Sequence, residues 1–91
     1  MKRRETFKTL FSDTSVKIKK IVSPKSFRSA IFTQSDNEFV FMLKGSATLS
    51  VGGKKVFLRK NHSLFIPKKT AHRILSTSAA TKTEWLAIHI K

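Results

Sequence analysis

Two residues frame the chemistry open to this chain of 91 residues: Glu38 and His72. It holds only five carboxylates (Glu5, Asp13, Asp36, Glu38 and Glu84), three histidines (His62, His72 and His89) and no cysteine. A carboxylate beside an imidazole raises the basicity of the ring and makes a general base. If the fold brings Glu38 and His72 together, proton abstraction from a small sugar or keto acid comes within reach. Gln34 adds an amide for a ligand or a water. Each residue also has a plain structural reading. Glu38 suits a strand-edge carboxylate paired with a lysine, and His72 a histidine with satisfied nitrogens. His89 suits a core or an interface, and His62 an exposed turn. No serine has the context of a nucleophile, and Gly52-Gly53 is a hairpin signal rather than a phosphate loop. Without cysteine there is neither a thiolate metal site nor a disulfide framework.

The elements that must position these residues are short strands. Residues 15–22 (SVKIKKIV) alternate with a slip at Lys19-Lys20, which predicts a strand with one exposed face and room for a bulge. Ser23-Pro24-Lys25-Ser26 is a turn. Residues 27–34 predict a second strand, with Arg28, Ala30, Phe32 and Gln34 on one face. Residues 38–44 are apolar on both faces after Glu38, as in a central covered strand. Glu38, Val40 and Met42 point one way; Phe39, Phe41 and Leu43 point the other. After Gly45, residues 46–51 alternate cleanly. Gly52-Gly53 then turns the chain back into residues 54–60, since a two-residue primed turn needs positive φ. Residues 63–67 end at Pro67, residues 71–76 put His72 and Ile74 on one face, and residues 84–90 close the chain. About eight short strands with turns between them predict an all-β protein, an antiparallel jelly-roll barrel. Its domain spans residues 15–91. Residues 1–14 are an N-terminal arm in which Phe7, Leu10 and Phe11 sit at helical spacing and allow a short helix. The Lys2-Arg3-Arg4 tip is expected to be solvated.

The segment from Glu38 to His72 resembles a cupin. Glu38 and Gly45 keep the Glu-x6-Gly spacing of the first cupin motif. SLFIPKKTAHRI carries Pro67 and His72 at the spacing of the second, with Asn61 and Lys69 standing for its two glycines and Ser76 for its asparagine. The wider stretch from Ile21 to Ile90 is similar to small single-domain cupins. The resemblance implies one β-barrel unit and a metal held by two histidines of the first motif, its Glu, and the histidine of the second. Counting back from Glu38, the two histidine positions fall on Phe32 and Gln34, or on Ile31 and Thr33 with the longer spacing. The first motif is therefore degenerate. Glu38 and His72 remain as metal ligands, Gln34 offers a weak oxygen, and His89 adds a donor if its face turns inward. Two ligands and water hold a first-row metal poorly.

The resemblance thus implies a barrel lumen lined by Gln34, Glu38, His72 and His89. It would bind a small polar or anionic molecule, with a divalent transition metal weak or absent. The alternative is a metal-dependent enzyme, an oxygenase or a sugar or keto-acid isomerase, using Glu38 and His72. Cupins commonly pair, so a homodimer is expected, and the face bearing Phe39, Phe41 and Leu43 is compatible with one.

Charge raises a third function. Nineteen Lys and Arg against five acids leave a net charge of +14. A basic accessory protein that binds nucleic acid fits that balance. Compositional drift also fits: most of the cations are lysines spread along the chain, whereas base readout favours arginine. No stretch is long and apolar enough to span a membrane. The basic N-terminus lacks the apolar run of a secretory signal. A cytoplasmic protein is the default expectation.

Overall fold

Gly45 divides the chain between two sheets. In the computed structural model, which describes residues 4–91, the chain forms eight strands: β1 (Thr6–Ser12), β2 (Val16–Ser23), β3 (Asn37–Lys44), β4 (Ser46–Val51), β5 (Lys54–Arg59), β6 (Ser63–Ile66), β7 (His72–Thr77) and β8 (Thr83–Ile90). Five make one antiparallel sheet in the order β1-β2-β8-β3-β6, and three make a second in the order β5-β4-β7. Among the described residues there is no helix, and so none long and apolar enough to cross a membrane.

The inner faces follow the period-two pattern of the sequence. Val40, Met42, Trp85 and Ala87 from the larger sheet are buried with Ala47, Leu49, Leu58 and Ile74 from the smaller, and Ile66 of β6 joins them. The outer face of the larger sheet carries a straight row of facing residues, Phe11-Ile18-Ile88-Phe39-Phe65, one from each strand. Gly52 and Gly53, at φ 57° and 83°, form the primed turn between β4 and β5. Asn61 and Lys69, which replace the glycines of the second cupin motif, adopt φ 70° and 62°.

Three expectations need correction. The first concerns the N-terminal arm. Residues 6–12 form β1, not a helical turn, because Phe7, Thr9 and their neighbours pair with β2 along its length. A β-bulge between Thr9 and Phe11 shifts the register, so Phe7 lines the lumen while Phe11 lies in the outer row. That bulge makes a strand look helical in spacing. Lys2 and Arg3 lie outside the described residues, and Arg4 is exposed. The second concerns residues 15–22. Strand β2 pairs with β8 from Val16 to Ser23 without a register shift. The apparent slip arises because Lys19 faces the lumen beside Ile21 while Ile18 faces out. The third concerns residues 27–34, which are extended but joined to β7 by a single bridge, Phe32 to His72. Side-chain oxygens interrupt the ladder: Ser29 Oγ accepts from Ile74 N, and Thr77 Oγ1 from Phe27 N, both at 2.8 Å.

Candidate functional site

Each polar residue of the lumen is placed by a different piece of chain. Glu38 stands near the start of β3, where alternation with Val40 and Met42 turns it inward; it is buried. β8 runs beside β3 with Glu38 opposite His89, so the two side chains share the inner face. His72 opens β7 in the facing sheet and shares its inward side with Ile74. Gln34 ends the extended segment 27–34. Its carbonyl accepts from Lys69 N at 2.7 Å, tying the segment to the loop after Pro67.

These residues converge on one carboxylate. Gln34 Nε2 donates to Glu38 Oε1. His72 Nε2 lies 3.8 Å from Glu38 Oε1, and His89 Nε2 lies 4.0 Å from Glu38 Oε2. Both imidazole distances exceed a hydrogen bond. Among the described residues neither Nε2 has a hydrogen-bond partner. His72 Nδ1 sits 2.9 Å from the Thr70 carbonyl. A carbonyl only accepts, so Nδ1 carries a proton, and Nε2 is the ring nitrogen turned toward Glu38. Burial, the leading cause, lowers the pKa of His89 from 6.5, with Glu38 opposing the shift. Phe32 meets His72 edge to face, with ring centroids 4.7 Å apart.

The cavity they line is about 190 Å³. Val40, Leu49, Ile66, Ile74 and Ala87 give it apolar walls. Sequence reasoning missed a second polar group at this cavity. Glu5, Phe7 and Lys19 line it from the β1–β2 side. Trp85 Nε1 donates to Ser23 Oγ at 3.0 Å, and Ser23 Oγ donates to Glu5 Oε2 at 2.6 Å. Burial above all, with the charge of Glu38, raises the Glu5 pKa from 4.5, against the Ser23 hydrogen bond. No sequence signal marks Glu5, because its partners Ser23 and Trp85 reach it only through tertiary packing. Trp85 is in the core, His62 is exposed in the turn before β6, and Arg73 lies on the side of β7 opposite His72.

This donor set does not fit the four-ligand metal centre implied by the cupin resemblance. Phe32 stands at one missing histidine position and packs its ring on His72. Gln34, at the other, turns its N–H rather than its oxygen toward Glu38. Among the described residues no group of three His, Cys, Asp or Glu is arranged to hold a metal ion.

Two facing antiparallel sheets around an inner cavity define a jelly-roll barrel. The family model for the cupin domain matches residues 21–89. The chain belongs to the cupin family. No curated protein matches it. Among solved structures it is similar to a proposed mannose-6-phosphate isomerase from Ralstonia eutropha JMP134, with a TM-score of 0.87 and 27% identity over 97% of this chain and 85% of that one. The Schizosaccharomyces pombe Cnp3 cupin domain matches at TM-score 0.90 and 13% identity, covering 99% of this chain and 66% of that one. A cupin superfamily protein from Desulfitobacterium hafniense DCB-2 matches at TM-score 0.83 and 16% identity, covering 96% and 77%. The last two comparisons speak to the fold alone.

Proposed function

We propose that the barrel binds a small polar molecule in its lumen without a metal, and acts as a binding or sensing module. The observation that carries this reading is the convergence of Gln34, His72 and His89 on Glu38 in an otherwise apolar cavity of about 190 Å³. A concave apolar site with a few convergent polar groups is the usual form of a small-molecule pocket. The volume suits a molecule of monosaccharide or hydroxy-acid size. The Glu38 carboxylate accepts hydrogen bonds from hydroxyls, and the Nε2 atoms of the two imidazoles add further polar contacts. The test is calorimetry and thermal shift against a panel of monosaccharides, sugar phosphates and hydroxy acids. A ligand should raise the melting temperature of the parent and lose most of its effect with Glu38→Gln. Elemental analysis runs beside it. Near one metal per chain in the parent, lost in a Glu38→Ala, His72→Ala double variant, would refute the metal-free reading.

A second reading is supported by the 27% identity to the proposed mannose-6-phosphate isomerase. In it, His72 Nε2 takes a proton from carbon beside a sugar carbonyl, and Glu38 stabilises the imidazolium that results. Exchange of that proton with deuterated solvent, followed by NMR, separates turnover from binding alone.

A further inference from the structure

The lysines that looked scattered along the sequence are not balanced evenly in space. Nine of the nineteen cations and none of the five acids lie between Phe39 and Thr83. That stretch contains β4, β5 and β7, so the smaller sheet carries no carboxylate at all. The acids sit elsewhere. Glu84 pairs with Lys20 at 3.2 Å on the larger sheet. Glu5 and Glu38 face the lumen. Asp13 accepts from the backbone of Ser15 and Val16 in the β1–β2 turn.

On the outer face of the smaller sheet, register places Lys55, Ser50 and Arg73 in one row. Phe57 and Thr48 stand in the next, and Arg59 and Ser46 in the one after. Phe57 is 55% exposed, a large apolar ring among these polar residues. The guanidinium of Arg59 lies over one face of the ring, 5.8 Å from its centroid. Successive rows stand about 6.7 Å apart. At the Arg73 end, Ile31, Ser50, Gly53, Ala71, His72 and Arg73 line a groove of about 200 Å³. Among the described residues, Arg73 Nε is buried there without a hydrogen-bond partner.

We infer that this face binds single-stranded nucleic acid. Uncompensated cations supply the phosphate contacts and the hydroxyl column Ser46-Thr48-Ser50 supplies neutral donors between them. The exposed Phe57 ring, with the Arg59 guanidinium beside it, offers a stacking surface that any base can use. Arg73 adds a third cation at the groove. A duplex hides its bases from a flat sheet, whereas a single strand exposes them; the exposed ring favours the single strand. The residues that carry the inference face outward from β4, β5 and β7, away from the buried core residues Ala47, Leu49, Leu58 and Ile74.

The test is fluorescence anisotropy with labelled oligo(U) of about 16 nucleotides, a length within the site sizes of single-strand binders. Binding should fall with salt at a log–log slope of about −0.7 per phosphate contact, or about −2 for Lys55, Arg59 and Arg73 together. The triple variant Lys55→Ser, Arg59→Ser, Arg73→Ser should flatten that slope toward zero. The charge-matched variant Lys8→Ser, Lys20→Ser, Lys91→Ser should leave it nearly unchanged. Phe57→Ala should weaken oligo(U) binding at least about fivefold without altering affinity for heparin. If the triple variant does not fold, Lys55→Ser with Arg59→Ser, both at exposed positions, carries the same test. Equal losses in the two charge-matched variants would overturn the inference. So would a Phe57→Ala variant that binds like the parent, or vesicles of anionic lipid that bind more tightly than oligo(U).

Discussion

Replacing Gly45 by alanine tests how the two sheets are joined. Gly45 sits at φ +88°, between the last residue of β3 and the first of β4. A Cβ built there would lie 2.6 Å from Thr83 Oγ1, 2.9 Å from Thr83 Cα and 3.1 Å from the Lys82 carbonyl. Two costs add. The left-handed backbone costs an L-residue about 1–2 kcal/mol. Relieving the overlap costs about 1–3 kcal/mol more, because the Cα of Thr83 is backbone and cannot rotate away. The sum is about 2–5 kcal/mol. For a domain of this size each kcal/mol shifts the melting temperature by about 4–8 °C, so Gly45→Ala should melt at least about 8 °C lower. Gly53→Ala is the internal control. Gly53 has φ +83°, but a Cβ added there would meet nothing within 4 Å, so it reports the backbone cost alone. Urea titration of both variants separates the two costs. Adding Thr83→Ala to Gly45→Ala removes the nearest oxygen but leaves the Cα, and should restore only part of the loss. If Gly45→Ala and Gly53→Ala lose the same stability, the close approach of β8 to this corner costs nothing and the reasoning fails.

Two further predictions concern titration in the lumen. The folded pKa of Glu5 is raised above 4.5, chiefly by burial. Its ionised form therefore weakens the fold, a deficit absent below pH 4.5 that grows as pH rises through the folded pKa. Glu5→Gln should melt higher than the parent at pH 7.5, with the gain fading near pH 4; a lower melting temperature at pH 7.5 would count against it. His89 has the opposite linkage, its folded pKa being depressed below 6.5 by burial. The stability from the neutral ring is full above that pH and drains away as pH falls toward the folded value. The stability difference between the parent and His89→Gln, measured in urea, should shrink from pH 8 to pH 5; a constant difference would contradict the assignment.

How much of this was legible in the sequence depended on whether a strand had one neighbour or two. β3, β4, β7 and β8 are flanked on both sides or packed on the core, so burial imposed period-two alternation on their residues. The turns at Gly52-Gly53 and Pro67 then marked their ends. β1 is an edge strand whose residues are all exposed. With no buried face to enforce alternation, and a bulge at Thr9–Phe11, its pattern read as helical. Residues 27–34 failed for another reason. Ser29 and Thr77 put hydroxyls where ladder carbonyls would stand, a substitution that spacing alone does not announce. At the site, Glu38 and His72 were findable because they keep cupin motif positions. The inward turn of His89 follows from its pairing with Glu38, a register between strands far apart in sequence. Glu5 was hidden because its partners, Ser23, Trp85 and Glu38, are brought to it only by tertiary packing.

The placing of β8 between β2 and β3 has a consequence for synthesis. In the sheet order β1-β2-β8-β3-β6, the strand in the middle is the one that follows all the others along the chain. While a ribosome is still making residues 83–90, the β1–β2 hairpin and the β3–β6 pair have no strand to join them. Each exposes an open edge and half of a core that lacks Trp85 and Ala87. Local hairpins form early and non-local pairings wait, so the nascent chain passes through a period as two unjoined sticky halves. Chaperone demand should therefore be highest until residues 83–90 are made, and a stall just before Thr83 should yield aggregation-prone fragments rather than a partial barrel.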